Sequence, residues 1–399
     1  MEKRPLVPSD GLLKDPYGAH EPPIYQTSTF VFERAADVAA AFAGETAGFV
    51  YTRINNPTVA AWEKRLAELE SAGTGIEAWA LAFGSGMGAA TAAILACVRQ
   101  GDHVVGVRPL YGGTTTFLLD WLPRFGVQTT QTNAGDLAAL EEAARTPRTT
   151  AIVIETPANP TMDIVDIRHA ADVAHANGAR LVVDNTFATP ILQQPLALGA
   201  DLVVQSSTKY LGGHGTVIGG GVIARDKAFV AGPLLGIRKV FGSAPSPFDC
   251  WLLLQGVKTL ELRVERASET AGRIAPVLAR HEMVTWVRYP GLAGDPGHLV
   301  AKKQMTGFGA MIAFGVRGGA EAGRRFMDAL CVAKRAVSLG CTDTLIEHPA
   351  SMTHAHLSAE ELTGAGITAY LIRVSIGIED AEEIETDILQ ALDVAAAGG

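Results

Sequence analysis

Ten residues at 206–215, SSTKYLGGHG, carry the strongest chemical signal in the chain. The apolar run Ala200-Asp201-Leu202-Val203-Val204 precedes them and reads as a buried strand. A strand ending in Ser206, Ser207 and Thr208 puts Lys209 at the carboxyl edge of a sheet, where α/β folds bind ligands. Gly212, Gly213 and Gly215 keep bulk low beside the amine. An amine so placed suits imine formation with a carbonyl compound. Alone, Lys209 would read as an exposed residue at a strand end, as most lysines are. Asp184 changes that balance. It ends the run Leu181-Val182-Val183, one strand before the lysine. Two neighbouring strand ends then offer a carboxylate and an amine to one crevice. A pyridine-ring cofactor needs such a pair: the lysine forms the imine, and the carboxylate keeps the ring nitrogen protonated so that the ring accepts electrons.

Other segments supply groups of the right kind. Gly84-Ser85-Gly86-Met87-Gly88 follows an apolar run and opens a helical pattern, so its backbone N–H groups suit a phosphate. Extended to Ala89, the same segment matches the dinucleotide pattern GxGxxA. The acidic residue nearest the required offset, Asp102, precedes its strand instead of ending it. Tyr51 and Arg53 pair a phenol with a guanidinium, a good phosphate clamp. Tyr111 follows the strand His103–Val107 and could stack on a planar ring. Glu155 and Asn159 flank the turn ETPANPT, where Asn159 could meet a cofactor hydroxyl. Arg373 lies within the apolar strand LIRVSIG. A buried arginine needs a partner, and a substrate carboxylate matches its fork.

The elements that must position these groups alternate. Strands are expected at Ala78–Phe83, His103–Val107, Ala151–Glu155, Leu181–Asp184, Leu202–Gln205 and Gly221–Ala224. Helices are expected at Val59–Ser71, Met87–Cys97, Thr115–Phe125 and Ile167–Asn177. That alternation predicts an α/β fold with a mostly parallel sheet. Beyond about residue 250 the texture changes to a long helix at Cys250–Ala279, strands at Ala310–Val316 and Leu371–Ile376, and helices at Ala320–Leu330 and Ala381–Ala396. Residues 1–58 are rich in proline and read as an arm, 59–250 as a cofactor-binding domain and 251–399 as a smaller α+β domain.

The chain has 399 residues, 48% hydrophobic and 19% charged, with a formal net charge of -9. That describes a folded protein with a large core and argues against general nucleic-acid binding. Cys97, Cys250, Cys331 and Cys341 are widely spaced and suggest neither a disulfide framework nor a metal site. The first residues lack the apolar stretch of a signal peptide, and no apolar run reaches membrane-spanning length. A cytoplasmic location is expected.

The motifs YTRINNPT, GSGMGA, LYGGT, ETPANPT, VDNTFATP, SSTKYLGGHG, SLG and HPASMTH, in this order, resemble the Cys/Met-metabolism (trans-sulfuration) family of pyridoxal-phosphate enzymes over nearly the whole chain. The resemblance implies the type I aminotransferase-like fold, pyridoxal 5'-phosphate as cofactor and a homotetramer built from catalytic dimers. By motif, Lys209 looks like the imine-forming lysine and proton shuttle, and Asp184 like the partner of the ring nitrogen. Tyr111 looks like the ring-stacking proton donor. Gly86, Met87, Ser206 and Thr208 would hold the phosphate, joined by Tyr51 and Arg53 of the neighbouring subunit. Asn159 would meet the ring hydroxyl, and Ser338 and Arg373 the substrate carboxylate.

Family members that handle cystathionine carry acidic residues before the YxR and SLG motifs and an arginine after the YGGT tyrosine. Here those positions look like Val50, Val337 and Thr116. Burying a second zwitterionic head group against valines costs several kcal/mol, on the order of 2–7 per unpaired polar group. The motifs are closest to methionine γ-lyases, so γ-elimination from L-methionine to methanethiol, ammonia and 2-oxobutanoate is expected. Homoserine-ester sulfhydrylases and cystathionine γ-lyases or γ-synthases are the alternatives. Gly113, where many methionine γ-lyases carry cysteine, and His354-Ala355-His356, where serines are usual, depart from the lyase pattern. A nicotinamide oxidoreductase using the GSGMGA turn would leave Lys209 and Asp184 unexplained. A non-catalytic pyridoxal-phosphate carrier would leave Lys209 and Tyr111 without a task.

Overall fold

The buried apolar runs form one seven-stranded sheet in a computed structural model that describes residues 15, 17–46, 48–352 and 368–397. His354, Ala355 and His356 lie outside the described residues. The strands are β1 (Trp79–Phe83), β2 (His103–Arg108), β3 (Gln128–Asn133), β4 (Thr149–Glu155), β5 (Arg180–Asp184), β6 (Leu202–Gln205) and β7 (Gly220–Ala224). Their order is β1-β7-β6-β5-β4-β2-β3. β7 runs antiparallel to β1 and β6, and the remaining pairs are parallel. Helices cover both faces, so the central strands bury side chains on both sides. Val183 and Val203 join one cluster, and Val182 and Val204 the other.

A second sheet contains β8 (Val284–Arg288), β9 (Met311–Val316), β10 (Lys334–Arg335), β11 (Leu345–Glu347) and β12 (Leu371–Ser375), in the order β10-β11-β12-β9-β8. Only the short β10–β11 pair is parallel. The larger apolar cluster runs continuously from Val59 to Ala395 and packs the two sheets into one core.

Local chemistry explains the helix beginnings. Asn56 caps the helix Pro57–Ser71, its side chain accepting from Thr58 N at 2.9 Å, and proline occupies the first turn, where no backbone donor is needed. The helix buries Trp62 and Leu66 completely, each worth about 2 kcal/mol relative to exposure. Leu66 lies against Gly221 of β7, where an added Cβ would come within 2.6 Å of Leu66 Cδ1.

Several elements differ from the sequence expectation. β3 is a polar edge strand, QTTQTN, and offers no apolar run to read. β8, β10 and β11 and the helix Leu137–Ala144 are short or half-exposed and were likewise not expected. The long helix expected at Cys250–Ala279 is two helices, Pro247–Gly256 and Leu260–Leu278, joined by a tight turn at Val257–Thr259. The break comes where Gly256 packs on backbone: a Cβ there would lie 2.4 Å from the Gly212 carbonyl oxygen. The helical run expected from Thr115 starts earlier, at Gly112, which makes Tyr111 its capping residue.

One buried carboxylate staples the end of the fold. Asp387, on the helix Ala381–Ala397, accepts from the backbone N–H groups of Cys331 at 2.8 Å and of Val332 and Ala333 at 2.9 Å. Burial pushes its pKa up, but these N–H groups and Gln390 together hold it below the ordinary value. Asp387→Asn is therefore expected to lower stability by about 2 kcal/mol, because bonds to a charged acceptor are worth about 1.5–3 kcal/mol. A depressed carboxylate stabilises the fold above its unfolded pKa of about 4 and loses that contribution as pH falls through the folded value. Thermal melts should show a wild-type advantage at pH 7 that narrows near pH 3. A pH-independent gap would assign the loss to packing instead.

Candidate active site

The carboxyl ends of β4, β5 and β6 are followed by, or end in, Asn159, Asp184 and Lys209. β6 ends at Gln205, and Lys209 lies in the turn beyond it, at the carboxyl edge of the sheet. That turn is closed by Lys209 N donating to Ser206 O and by Gly212 N and Gly213 N donating to Ser207 O and Lys209 O. Lys209 Nζ donates to Ser338 Oγ at 3.2 Å. Burial, and then the charge of Arg373, lower its pKa. The amine is thus easier to hold neutral, as a nucleophile or proton acceptor must be. Asp184 ends β5, the strand beside β6, in register with Val204. One of its oxygens accepts from Thr186 N at 3.0 Å, and burial raises its pKa. A cationic ring nitrogen beside it would reverse that shift.

The glycine-rich turn forms a cradle. Ser85 caps the helix Gly86–Cys97 by accepting from Gly88 N at 3.0 Å. The Gly86 and Met87 amides, at the first helical positions, have no intrahelical partner and suit an anion. Ser206 approaches so closely that a Cβ on Gly86 would lie 2.7 Å from its Oγ. Thr208 Oγ1 donates to Gly219 O at 3.2 Å and accepts from Gly219 N at 3.0 Å, which fixes it on the same rim. Gly220 backs the cradle, because a Cβ there would strike the Ser85 carbonyl oxygen at 2.2 Å. The Tyr111 ring borders the same helix start. A Cβ on Gly113 would lie 2.8 Å from Met87 Sδ and 2.9 Å from Tyr111 Cε1, so a cysteine at 113 would require these side chains to shift.

The second sheet supplies the other wall. Arg373 on β12 is buried, with Nη1 donating to Asn159 Oδ1 at 2.8 Å and Nη2 to Ser338 O at 2.9 Å. The carboxylate partner expected from a substrate is already matched by a protein one. Glu347, opposite Arg373 in the β11–β12 register, lies 3.1 Å from Nη1. Among the described residues Arg373 Nε and Glu347 Oε2 are buried without hydrogen-bond partners, so the Nε edge of the guanidinium is left unpaired. Burial raises the pKa of Glu347, against the opposing pull of Arg373 and Lys209. Sequence reasoning missed Glu347. The available signal was an acidic residue closing the apolar strand LIE just before HPASMTH.

The arm stands apart from these groups. Thr29 bridges to Tyr51, and Arg53 lies over the Tyr51 ring, 5.6 Å from its centroid. Arg53 Nη1 donates to Lys239 O at 2.6 Å. Among the described residues neither Tyr51 nor Arg53 bonds to Lys209, Asp184 or Ser206. Val50 is buried on the arm, whereas Val337, beside Ser338, is exposed. Among the described residues no helix is long and apolar enough to cross a membrane, and no cluster of three or more His, Cys, Asp or Glu could hold a metal ion.

An amine of lowered pKa, a carboxylate one strand away, a helix-start cradle and a buried guanidinium fit pyridoxal 5'-phosphate, which presents an aldehyde, a ring nitrogen and a phosphate. Residues 8–393 match the family model described as Cys/Met metabolism PLP-dependent enzyme. The chain belongs to this family. It is 45% identical to an L-methionine gamma-lyase of Porphyromonas gingivalis and 46% identical to one of Pseudomonas putida, each over 96% of this chain and 95% of the relative. It is 42% identical to an O-succinylhomoserine sulfhydrylase of Pseudomonas aeruginosa, over 96% of this chain and 93% of the relative. A solved cystathionine gamma synthase from Xanthomonas oryzae pv. oryzae superposes with a TM-score of 0.88 at 39% identity, covering 96% of this chain and 95% of that one. The protein is therefore a PLP-dependent enzyme with the fold of the trans-sulfuration enzymes, and the cofactor and fold expected from its motifs hold.

Proposed function

We propose that this enzyme is a carbon–sulfur lyase that eliminates the γ-thiolate of L-methionine and, with the uptake of one water, yields methanethiol, ammonia and 2-oxobutanoate. The bound cofactor supplies an electron-accepting ring on which the bond to the α-proton is weakened. Lys209 would hold the cofactor through its amine and be free to act as a base once the substrate is bound. Its freed Nζ would then take the α-proton and afterwards a β-proton, which lets the γ-thiolate leave, and return a proton to the carbon chain. The lowered pKa of that amine supports a base able to work near neutral pH. Asp184 would keep the ring nitrogen protonated. Tyr111 would stack on the ring and protonate the departing thiolate. Asn159 meets the ring hydroxyl, and Gly86, Met87, Ser206 and Thr208 bind the phosphate. Arg373, through its Nε edge, and Ser338 hold the substrate carboxylate.

Tyr51 and Arg53 complete the phosphate site of the neighbouring chain in a homotetramer of catalytic dimers. The exposure of the arm supports this, with Tyr17 and Val31 almost fully exposed in the single chain. Size measurement of the holoenzyme tests it, and an active monomer would refute it.

The choice of methionine rests on one observation. Val337 adjoins Ser338, whose hydroxyl accepts from the Lys209 amine, and its apolar side chain is exposed next in sequence to the reacting end of the site. Its apolar surface is suited to a thioether methyl. A distal ammonium and carboxylate would lose water there without gaining partners. The absence of a thiol at Gly113 favours the second reading, a homoserine-ester sulfhydrylase. Product assays with methionine, cystathionine, homocysteine and O-acetylhomoserine plus sulfide, run in parallel, separate the two. Val337→Glu is expected to raise kcat/KM for cystathionine relative to methionine about tenfold, since a partner for a desolvated ammonium is worth at least about 1.4 kcal/mol. Wild-type cleavage of cystathionine far faster than methionine would overturn the pocket argument.

A further inference from the structure

β4 ends in a buried carboxylate to which the proposed chemistry gives no task. Glu155 is 5% exposed. Its Oε2 accepts from Tyr111 N at 2.5 Å, and its Oε1 from Asn159 N at 2.8 Å. The two amides belong to different loops. Tyr111 follows β2 and caps the helix beginning at Gly112, while Asn159 lies in the turn after β4. Glu155 and Asp184 are register partners on adjacent parallel strands. With Ala90, Ile94 and Thr114 they line one small cavity beneath the site.

Three groups proposed to touch the cofactor ring therefore meet at one side chain. Two are tied to it by their backbones, and the third stands beside it. A carboxyl group in a nearly closed space is costly unless its oxygens are used. Here each oxygen receives a backbone N–H, which a glutamine could not reproduce, because its NH2 end would face a second donor.

We propose that Glu155 is a positioning residue: its carboxylate binds the backbone amides of Tyr111 and Asn159 to the end of β4 beside Asp184, so that the phenol and the carboxamide keep fixed positions on either side of the ring. The inference deepens the proposed function and rests on the roles given there to Tyr111 and Asn159. Burial foremost, and then the neighbouring Asp184, push Glu155 up to about 8, while the two N–H groups and Arg373 pull it down. A cation on the ring nitrogen would offset the charge of Asp184 and tip Glu155 toward the ionised, doubly accepting form.

The test compares wild-type holoenzyme with Glu155→Gln. The variant is expected to bind the cofactor, to lose at least half of the visible circular dichroism per bound cofactor, and to lose kcat at least tenfold with KM for methionine changed less than threefold. A bystander plug would not move the visible dichroism. Unchanged dichroism and kcat in a folded Glu155→Gln protein overturn the proposal. Should that variant fail to fold, amide hydrogen exchange in the wild-type holoenzyme decides. Protection of both the Tyr111 and Asn159 amides supports the clamp, and free exchange of both overturns it. A wild type that stays colourless with added cofactor would instead overturn the proposed function, while the exchange measurement would still judge the clamp.

Discussion

Lys209→Ala is expected to abolish turnover, with a loss of at least about 10³-fold, the range in which proton transfer by a positioned side chain commonly falls. The loss should exceed that of a simple binding defect, because one amine is asked both to hold the cofactor and to move protons. The geometry prepares it for both. Its ammonium form is disfavoured by burial and by Arg373, and its Nζ has the Ser338 hydroxyl as partner. Borohydride treatment of wild type should fix the cofactor to the peptide containing Lys209, whereas Lys209→Ala should release it on denaturation. Mixed with an inactive Arg53→Ala protein, Lys209→Ala subunits should regain some activity, since one site of the hybrid then has both an intact lysine and an intact neighbouring arm. Confirmed subunit exchange without rescue would refute the shared site. Undiminished turnover by Lys209→Ala would refute the catalytic assignment altogether.

The parts of this site that were readable in the sequence are those fixed by short, dense signals. Asp184 closes one strand of mostly aliphatic residues and Lys209 lies in the turn after another, and strands buried on both faces cannot hide in a pattern. Their placement at neighbouring strand ends followed from the β5–β6 adjacency that a parallel α/β sheet makes common. The glycine-rich turn could be read because Gly86 and Gly220 are required by close approach to Ser206 and to the Ser85 carbonyl.

What could not be read depends on contacts between distant segments. Glu347 faces Arg373 only because β11 and β12 pair antiparallel, and β11 has three residues, too few for a periodic signal. Glu155 was noticed as part of a turn, but its grip on Tyr111 N crosses 44 residues of chain. β3 pairs only with β2 at the sheet edge, so its polar sequence QTTQTN resembles a loop. The split in the helix after Pro247 needed knowledge of the Gly212 carbonyl, which a helical pattern does not contain.

Arg373→Leu is expected to combine a stability loss with a binding loss, and the two can be separated. Arg373 and Glu347 are buried to within a few per cent and lie 3.1 Å apart. Removing one partner of a buried pair leaves the other charge uncompensated and costs about 3–5 kcal/mol. Replacing both by apolar groups of similar size is often neutral, because the desolvation of both charges is removed with their attraction. Arg373→Leu should therefore lower the melting temperature sharply, and Arg373→Leu with Glu347→Leu should recover most of it. Binding should not recover. On the proposed reading the substrate carboxylate uses the guanidinium edge at Nε, which both proteins lack, and one charge-assisted hydrogen bond is worth about 1.5–3 kcal/mol, or a KM raised roughly 10- to 100-fold. The double variant isolates that effect in a stable fold. If its KM for methionine returns to the wild-type value, Arg373 serves only to balance Glu347, and the substrate carboxylate binds elsewhere.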